Sequence, residues 1–246
     1  MNLNDQDEYS ILILGIAGGA GYVYEGHCSS SFLLLKGEKP VCLIDLGLGV
    51  TRTLTQYGYS LPDTVIITHN HTDHAGELPV VIRVEESKGR RLNIAAATPV
   101  SERLKHQRMA EHNDLYPAET LANWLSLPPN ERSDLTDDLQ IQFIEAKHSE
   151  KCFGFKLFLK GIDTPLLGYT GDSGFYPSLY QQISQCSVSI FDARPNGNEW
   201  HAGIDELEAY QRTSYIIGHG MIGLDSEDER LLQSGQRVTI RVGEPK

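Results

Sequence analysis

The apolar run Thr64-Val65-Ile66-Ile67 stops against Thr68-His69-Asn70-His71-Thr72-Asp73-His74-Ala75-Gly76. A continuous β-branched run of that length is a strand covered on both faces, so it needs a sheet buried between other layers. The polar residues that follow at once stand at the carboxyl end of that strand, where open α/β folds gather their ligands. Their types suit one chemistry. Imidazole binds zinc and similar transition metals, and carboxylate takes a harder, shared or water-activating position. Three histidines and one aspartate within six residues make two chelating sets, His69 with His71 and Asp73 with His74. The chain has nine histidines in 246 residues, and chance assembly of this pattern in it is about one in a thousand. A merely His-rich surface turn is therefore the weaker reading.

Further ligands stand at later strand ends. His148 follows Gln140 to Ile144, Asp172 follows Leu166 to Tyr169, and His219 follows Tyr215 to Ile217. Each alone reads as a surface residue. At the same position after successive strands, they read as the rest of a two-metal site. His201, in Asn198-Glu199-Trp200-His201-Ala202-Gly203, precedes a helix between two candidate ligands. It is either a structural histidine beside the ligands or a general acid. His27, His106 and His112 lack a strand-end setting and read as solvated. The glycines from Gly15 to Gly21 do not match GxGxxG followed by a clean helix, and Tyr22-Val23-Tyr24 reads as extended, which argues against a dinucleotide site.

Strands are also expected at 10–15, 31–35, 41–45, 92–96, 153–159, 188–191 and 237–242, with helices at 49–57, 78–86, 177–183 and 205–213. The polar stretch 99–134, interrupted by Pro117, Pro128 and Pro129, reads as a helical elaboration on the main body. No Gly-, Ser- or Pro-rich linker divides the chain, so residues 1–246 read as one α/β domain. The net charge of −12 disfavours broad binding to long nucleic acid, which needs a basic surface. No apolar stretch reaches the roughly 18 to 20 residues that span a bilayer. The start is acidic, unlike a secretory signal, and the four cysteines form no CxxC pair. These features lead to the expectation of a cytoplasmic protein with reduced thiols and no membrane partner.

His69-x-His71-x-Asp73-His74, with His148, Asp172 and His219, resembles the metallo-β-lactamase superfamily across nearly the whole chain. Leu14-Gly15 with its glycine-rich turn, Ser29-Ser30-Ser31 and Leu43-Ile44-Asp45-Leu46-Gly47 are similar to its ribonuclease Z-like phosphodiesterase branch. The resemblance implies a four-layer αβ/βα sandwich holding two divalent ions, zinc or else manganese. One ion would take His69, His71 and His148. The other would take Asp73, His74 and His219, with Asp172 bridging. Asp45 would support the ligand loop without binding metal. His201 would protonate the leaving oxygen, and Asp73 would also orient or accept the proton of the attacking water.

Only 24 positions separate His148 from Asp172, too few for the flexible arm with which tRNA-processing members grip precursor tRNA. The sequence thus resembles compact cyclic-nucleotide phosphodiesterases of the anti-Pycsar type. That resemblance implies a small nucleotide substrate, cyclic CMP or UMP included, and a homodimer in which one subunit helps close the other's pocket. Gly18 to Gly21, Ser29 to Ser31 and residues 99–134 are the expected grip on the nucleotide. The alternatives are a ribonuclease Z-like tRNA 3′-end endonuclease, another hydrolase of the superfamily such as a lactonase or thioesterase, and a protein that sequesters nucleotides without cleaving them.

Overall fold

The computed structural model describes residues 8–210, 214–219, 221–222 and 228–241. Its first sheet begins with β1 (Tyr9–Gly15), β2 (Ser31–Lys36) and β3 (Lys39–Ile44), a pure antiparallel meander. The β2–β3 turn has two residues, and Gly37 at φ 59° supplies the left-handed conformation such a turn requires. Then the sense changes. β4 (Thr64–Ile66), β5 (Asn93–Ala97) and β6 (Asn123–Leu127) each run parallel to the strand before, and β13 (Arg237–Ile240) closes the far edge antiparallel to β1.

The parallel crossovers carry helices α2 (Val50–Gln56), α3 (Thr72–Ala75), α4 (Leu78–Ser87) and α5 (Thr98–Arg103). Val50 and Leu54 of α2, Leu78 and Ile82 of α4 and Val100 of α5 are buried in the core beneath this sheet's strands. The second sheet has the order β12 (Ser214–Gly218), β11 (Val188–Ala193), β10 (Leu167–Tyr169), β9 (Phe153–Leu159), β8 (Leu139–Glu145), β7 (Arg132–Asp134). Its outer face is covered by α7 (Pro177–Ile183), whose Leu179, Tyr180 and Ile183 pack with Phe191 and Ile216. Between the sheets, Phe32 of β2 meets Tyr169 of β10 edge to face, with ring centroids 5.4 Å apart. Helix, sheet, sheet, helix is the expected sandwich.

Three expectations change in detail. The stretch read as extended at Tyr22-Val23-Tyr24 is a short helix, α1 (Gly19–Tyr24). Segment 99–134 is helical only in part: α5 and a π-type turn (Leu104–Arg108), then α6 (Ala118–Leu121). Turns follow at 109–115, and part of the remainder is strand, because Asn123 to Leu127 pair in register with Asn93 to Ala97 and extend the first sheet. Pro128-Pro129, unable to donate to a ladder, marks the passage to β7 in the second sheet. The last expected helix is a 3₁₀ turn at Asp205–Tyr210, and positions 211–213 and 242 lie outside the described residues.

Candidate metal centre

Asp45, at the end of β3 with φ 59°, organises the first ligand loop. Its carboxylate accepts the Thr68 N–H at 2.8 Å and the Thr68 hydroxyl at 2.9 Å. Its Oδ2 also lies 2.8 Å from His74 Nδ1. A proton on Nδ1 directed to Asp45 leaves His74 Nε2 to face the cleft, 3.3 Å from Asp172 Oδ1. Asp73, one residue earlier on α3, receives the Gly19 N–H on Oδ2 at 2.7 Å. Thus a buried carboxylate that binds nothing in the cleft turns the ring of one that does.

Three histidines converge beside this group. His71 Nδ1 lies 3.1 Å from His69 Nε2 and 3.2 Å from His148 Nε2. His148 donates its Nδ1 proton to the Trp200 carbonyl at 3.1 Å, which presents Nε2 inward. Asp172 Oδ2 stands 3.8 Å from His69 Nε2 and 3.4 Å from His219 Nε2, so one carboxylate reaches both groups. The ligand atoms of His69, His71 and His148 lie within 4.8 Å of one another, as do those of Asp73, His74, Asp172 and His219. All seven residues expected as ligands are therefore brought together in the two expected sets.

The donor set fits divalent cations. Among the described residues, His74 Nε2, Asp172 Oδ1 and His219 Nε2 are buried without a hydrogen-bond partner. Each such orphan costs about 1–3 kcal/mol when left unsatisfied, and a cation shared among them removes that cost. Electrostatics agree. Burial alone would depress the His74 pKa, but Asp172, Asp45 and Asp73 outweigh it and hold His74 well above the usual histidine range. Burial likewise opposes the His219 proton, yet Asp172 and Asp192 raise this group to about 10. His69, dominated by burial and then by the His74 charge, stays well below the usual range. Without metal, protons on His74 and His219 supply the positive charge that these carboxylates demand.

Asp192, at the end of β11, is the residue that sequence reading missed. Its Oδ2 lies 2.7 Å from His201 Nδ1 and its Oδ1 lies 2.8 Å from His219 Nδ1. It faces the Nδ1 edges of both rings, opposite the Nε2 atom that His219 turns to Asp172, so it buttresses the site from behind. The signal was present, since Asp192 ends its strand as Asp45 and Asp172 end theirs. His201 is buried, with its ring centroid 4.9 Å from that of His219 and 5.2 Å from that of His148.

Ser29, Ser30 and Ser31 are not available to a substrate. All three are buried, with the Ser30 hydroxyl donating to the Ala17 carbonyl and that of Ser31 to the Asp45 carbonyl. Gly18 and Gly19 serve the centre itself, by close approach to His219 and through the Gly19 N–H on Asp73. His106 and His112 lie within ion-pair distance of Glu102 and Glu111 on their own segment, and neither joins a converging group.

Fold and site together define a metallo-β-lactamase fold that carries a candidate metal centre. A sequence model described as "Anti-Pycsar protein Apyc1" matches residues 9–217, and the chain belongs to that family. The metallo-β-lactamase fold protein YhfI from Bacillus subtilis superposes with a TM-score of 0.72 at 16% identity, covering 95% of this chain and 100% of that one. The short form of human tRNase Z superposes with a TM-score of 0.69 at 15% identity, again over 95% and 100%. A ribonuclease Z from Methanopyrus kandleri is 35% identical over 94 residues, which is 37% of this chain and 34% of that protein. Matches to this and other ribonuclease Z relatives span 34% to 51% of those proteins' lengths. Among the described residues, no helix is long and apolar enough to cross a membrane.

Proposed function

We propose that the chain is a two-metal phosphodiesterase that opens 3′,5′-cyclic nucleotides, cyclic CMP and UMP included. The observation that carries this reading is the buried His201–Asp192 pair beside two candidate ligand groups, both approached by Asp172 Oδ2, 3.8 Å from His69 Nε2 and 3.4 Å from His219 Nε2. Two divalent cations, zinc or manganese, held by these pockets would lower the pKa of water and offset charge on the phosphoryl oxygens. The protein's own groups do the rest. Asp192 takes the Nδ1 side of His201 and orients its ring, leaving Nε2 to protonate the departing ribose oxygen. Asp73, oriented by the Gly19 N–H, accepts a proton from the attacking water. With a cyclic substrate the product remains one molecule, a linear nucleotide.

The family description supports a cyclic-nucleotide substrate. So does the stretch from His148 to Asp172, which is occupied by β9, β10 and their turns and leaves no room for an arm. A homodimer belongs to this reading, supported by the apolar side chains Tyr24 and Leu115, which are 93% and 80% exposed. The ribonuclease Z relatives favour a second reading, tRNA 3′-end cleavage.

A substrate panel separates them. Purified protein is incubated with 3′,5′-cyclic nucleotides, bis-aryl phosphates, lactones and a precursor tRNA at matched concentration. Ready opening of cyclic nucleotides, abolished by chelator, with little tRNA cleavage is the expected result. Efficient tRNA processing with inert cyclic nucleotides would overturn the reading, and binding without turnover would make the protein a sequestering one. A monomer by light scattering would remove the dimer alone.

A further inference from the structure

The helical segment Thr98–Arg108 touches the centre at two points, both on the loops of the three-histidine pocket. Arg108 Nε donates to Asn70 Oδ1 at 2.9 Å, and its Nη2 donates to the Asn70 backbone carbonyl. Asn70 is the residue between the ligands His69 and His71. Arg103 pairs with Glu150, two residues beyond the third ligand, His148. The same carboxylate accepts the Lys151 N–H at 3.1 Å, so it also braces the backbone of that loop.

The backbone explains how two arginines five residues apart act together. In an α-helix, with 3.6 residues per turn, a separation of five places side chains roughly 140° apart. Here the segment ends in a π-type turn, closed by the Met109 N–H on the Leu104 carbonyl at 2.9 Å. An i→i+5 turn winds more loosely than an α-helix and so brings residues five apart nearer to one face, and such turns recur at functional sites.

We propose that Arg108, assisted by Arg103, is a positioning residue that sets the metal affinity of the His69/His71/His148 pocket. This rests on the two-metal reading and gives the elaboration a task at the site, through the peptide between His69 and His71. Arg108 forms a planar fork on two acceptors of one residue, which fixes both the side chain and the backbone of Asn70. Arg103 makes a single half-exposed pair and contributes less. The second pocket, of Asp73, His74, Asp172 and His219, is held by Asp45, Gly19 and Asp192, and Arg108 bears on it only through the charge of Asp73.

The test is a calorimetric zinc titration of the full-length metal-free protein, paired with the visible spectrum of the cobalt(II) form. Arg108→Ala should weaken one of the two zinc sites by about 10–100-fold, the usual range for loss of a group supporting a ligand, and change the other, which it reaches only through the Asp73 charge, far less. The cobalt spectrum should change with it. Arg108→Lys should not restore affinity, because one ammonium cannot span both acceptors. Arg103→Ala should show a smaller loss at the same site. Lys105→Ala, whose ion pair with Glu102 lies within the segment, should match wild type.

Near-UV circular dichroism checks the fold. Should Arg108→Ala fail that check, Asn70→Ala removes the Oδ1 acceptor and the long Nδ2 contact to Gln107 but keeps the backbone carbonyl that Arg108 Nη2 holds, and should weaken the same site to a lesser degree. Two zinc ions bound equally well by folded Arg108→Ala and wild type would overturn this inference alone. Equal losses at both sites, or an equal loss in Lys105→Ala, would overturn it too. A wild-type protein that binds no zinc overturns the metal reading and this inference with it.

Discussion

His201 and His219 share the two oxygens of Asp192 yet face different work. His219 turns Nε2 to Asp172, 3.4 Å away, and joins the converging group of Asp73, His74 and Asp172. His201 lies outside the two expected ligand sets, although it converges with Asp172, Asp192 and His219 in a third group, where Asp192 already takes its Nδ1 edge. His201→Ala should therefore retain two metals by elemental analysis while turnover falls by about a hundredfold, within the range for a lost general acid. The loss should shrink for a nitrophenyl ester, whose leaving group needs no proton. An equal loss on both substrates, or lost metal, would make His201 structural. The ligand types at 69, 71, 73 and 74 were legible because chelation there depends on spacing within one turn of chain. Asp192 was legible only as another strand-end aspartate, because which ring edge a carboxylate faces depends on the fold around it.

Among the elements, the loop between β1 and α1 is held to the end of β12 by direct contact. A Cβ on Gly18 would lie 1.6 Å from His219 Cδ2, an impossible separation against a ring packed on every side. Gly18→Ala should displace His219 and lower zinc stoichiometry toward one per chain, with the three-histidine pocket still loaded. Inductively coupled plasma analysis reads this directly, and full occupancy would show that the loop can move away. The glycines of this loop were visible in the sequence. Their purpose was not, because Gly18 and His219 are 201 positions apart and meet only through the sheets. The same holds for Trp124 and Leu125. Their local setting, between a polar helical stretch and two prolines, hid a strand that exists because β5 offers it an edge.

At the scale of the whole molecule, metal exchanges with protons. His219, raised from about 6.5 to about 10 by Asp172 and Asp192 against the pull of burial, must lose its proton when a cation binds. Zinc binding at pH 7 should then release protons, seen as a dependence of the calorimetric enthalpy on buffer ionisation enthalpy, and should weaken as pH falls. A raised pKa stabilises the metal-free fold fully below about pH 6.5 and ceases to do so as pH climbs through about 10. The melting temperature of the metal-free protein should fall between pH 7 and 10 more steeply than that of the loaded protein. Parallel curves would refute the exchange.

Local patterns in the sequence are enough to give the α/β class and to pick out seven residues that the fold gathers into two converging groups. Apolar runs and strand-end positions are local patterns, and they need only the chain's own periodicity to be read. Tertiary structure alone decided what surrounds those ligands: the carboxylate shared by His201 and His219, the burial of Ser29 to Ser31, and the arginines that reach Asn70 and Glu150. Each of these depends on an orientation or a close approach between segments distant in sequence, which only packing specifies.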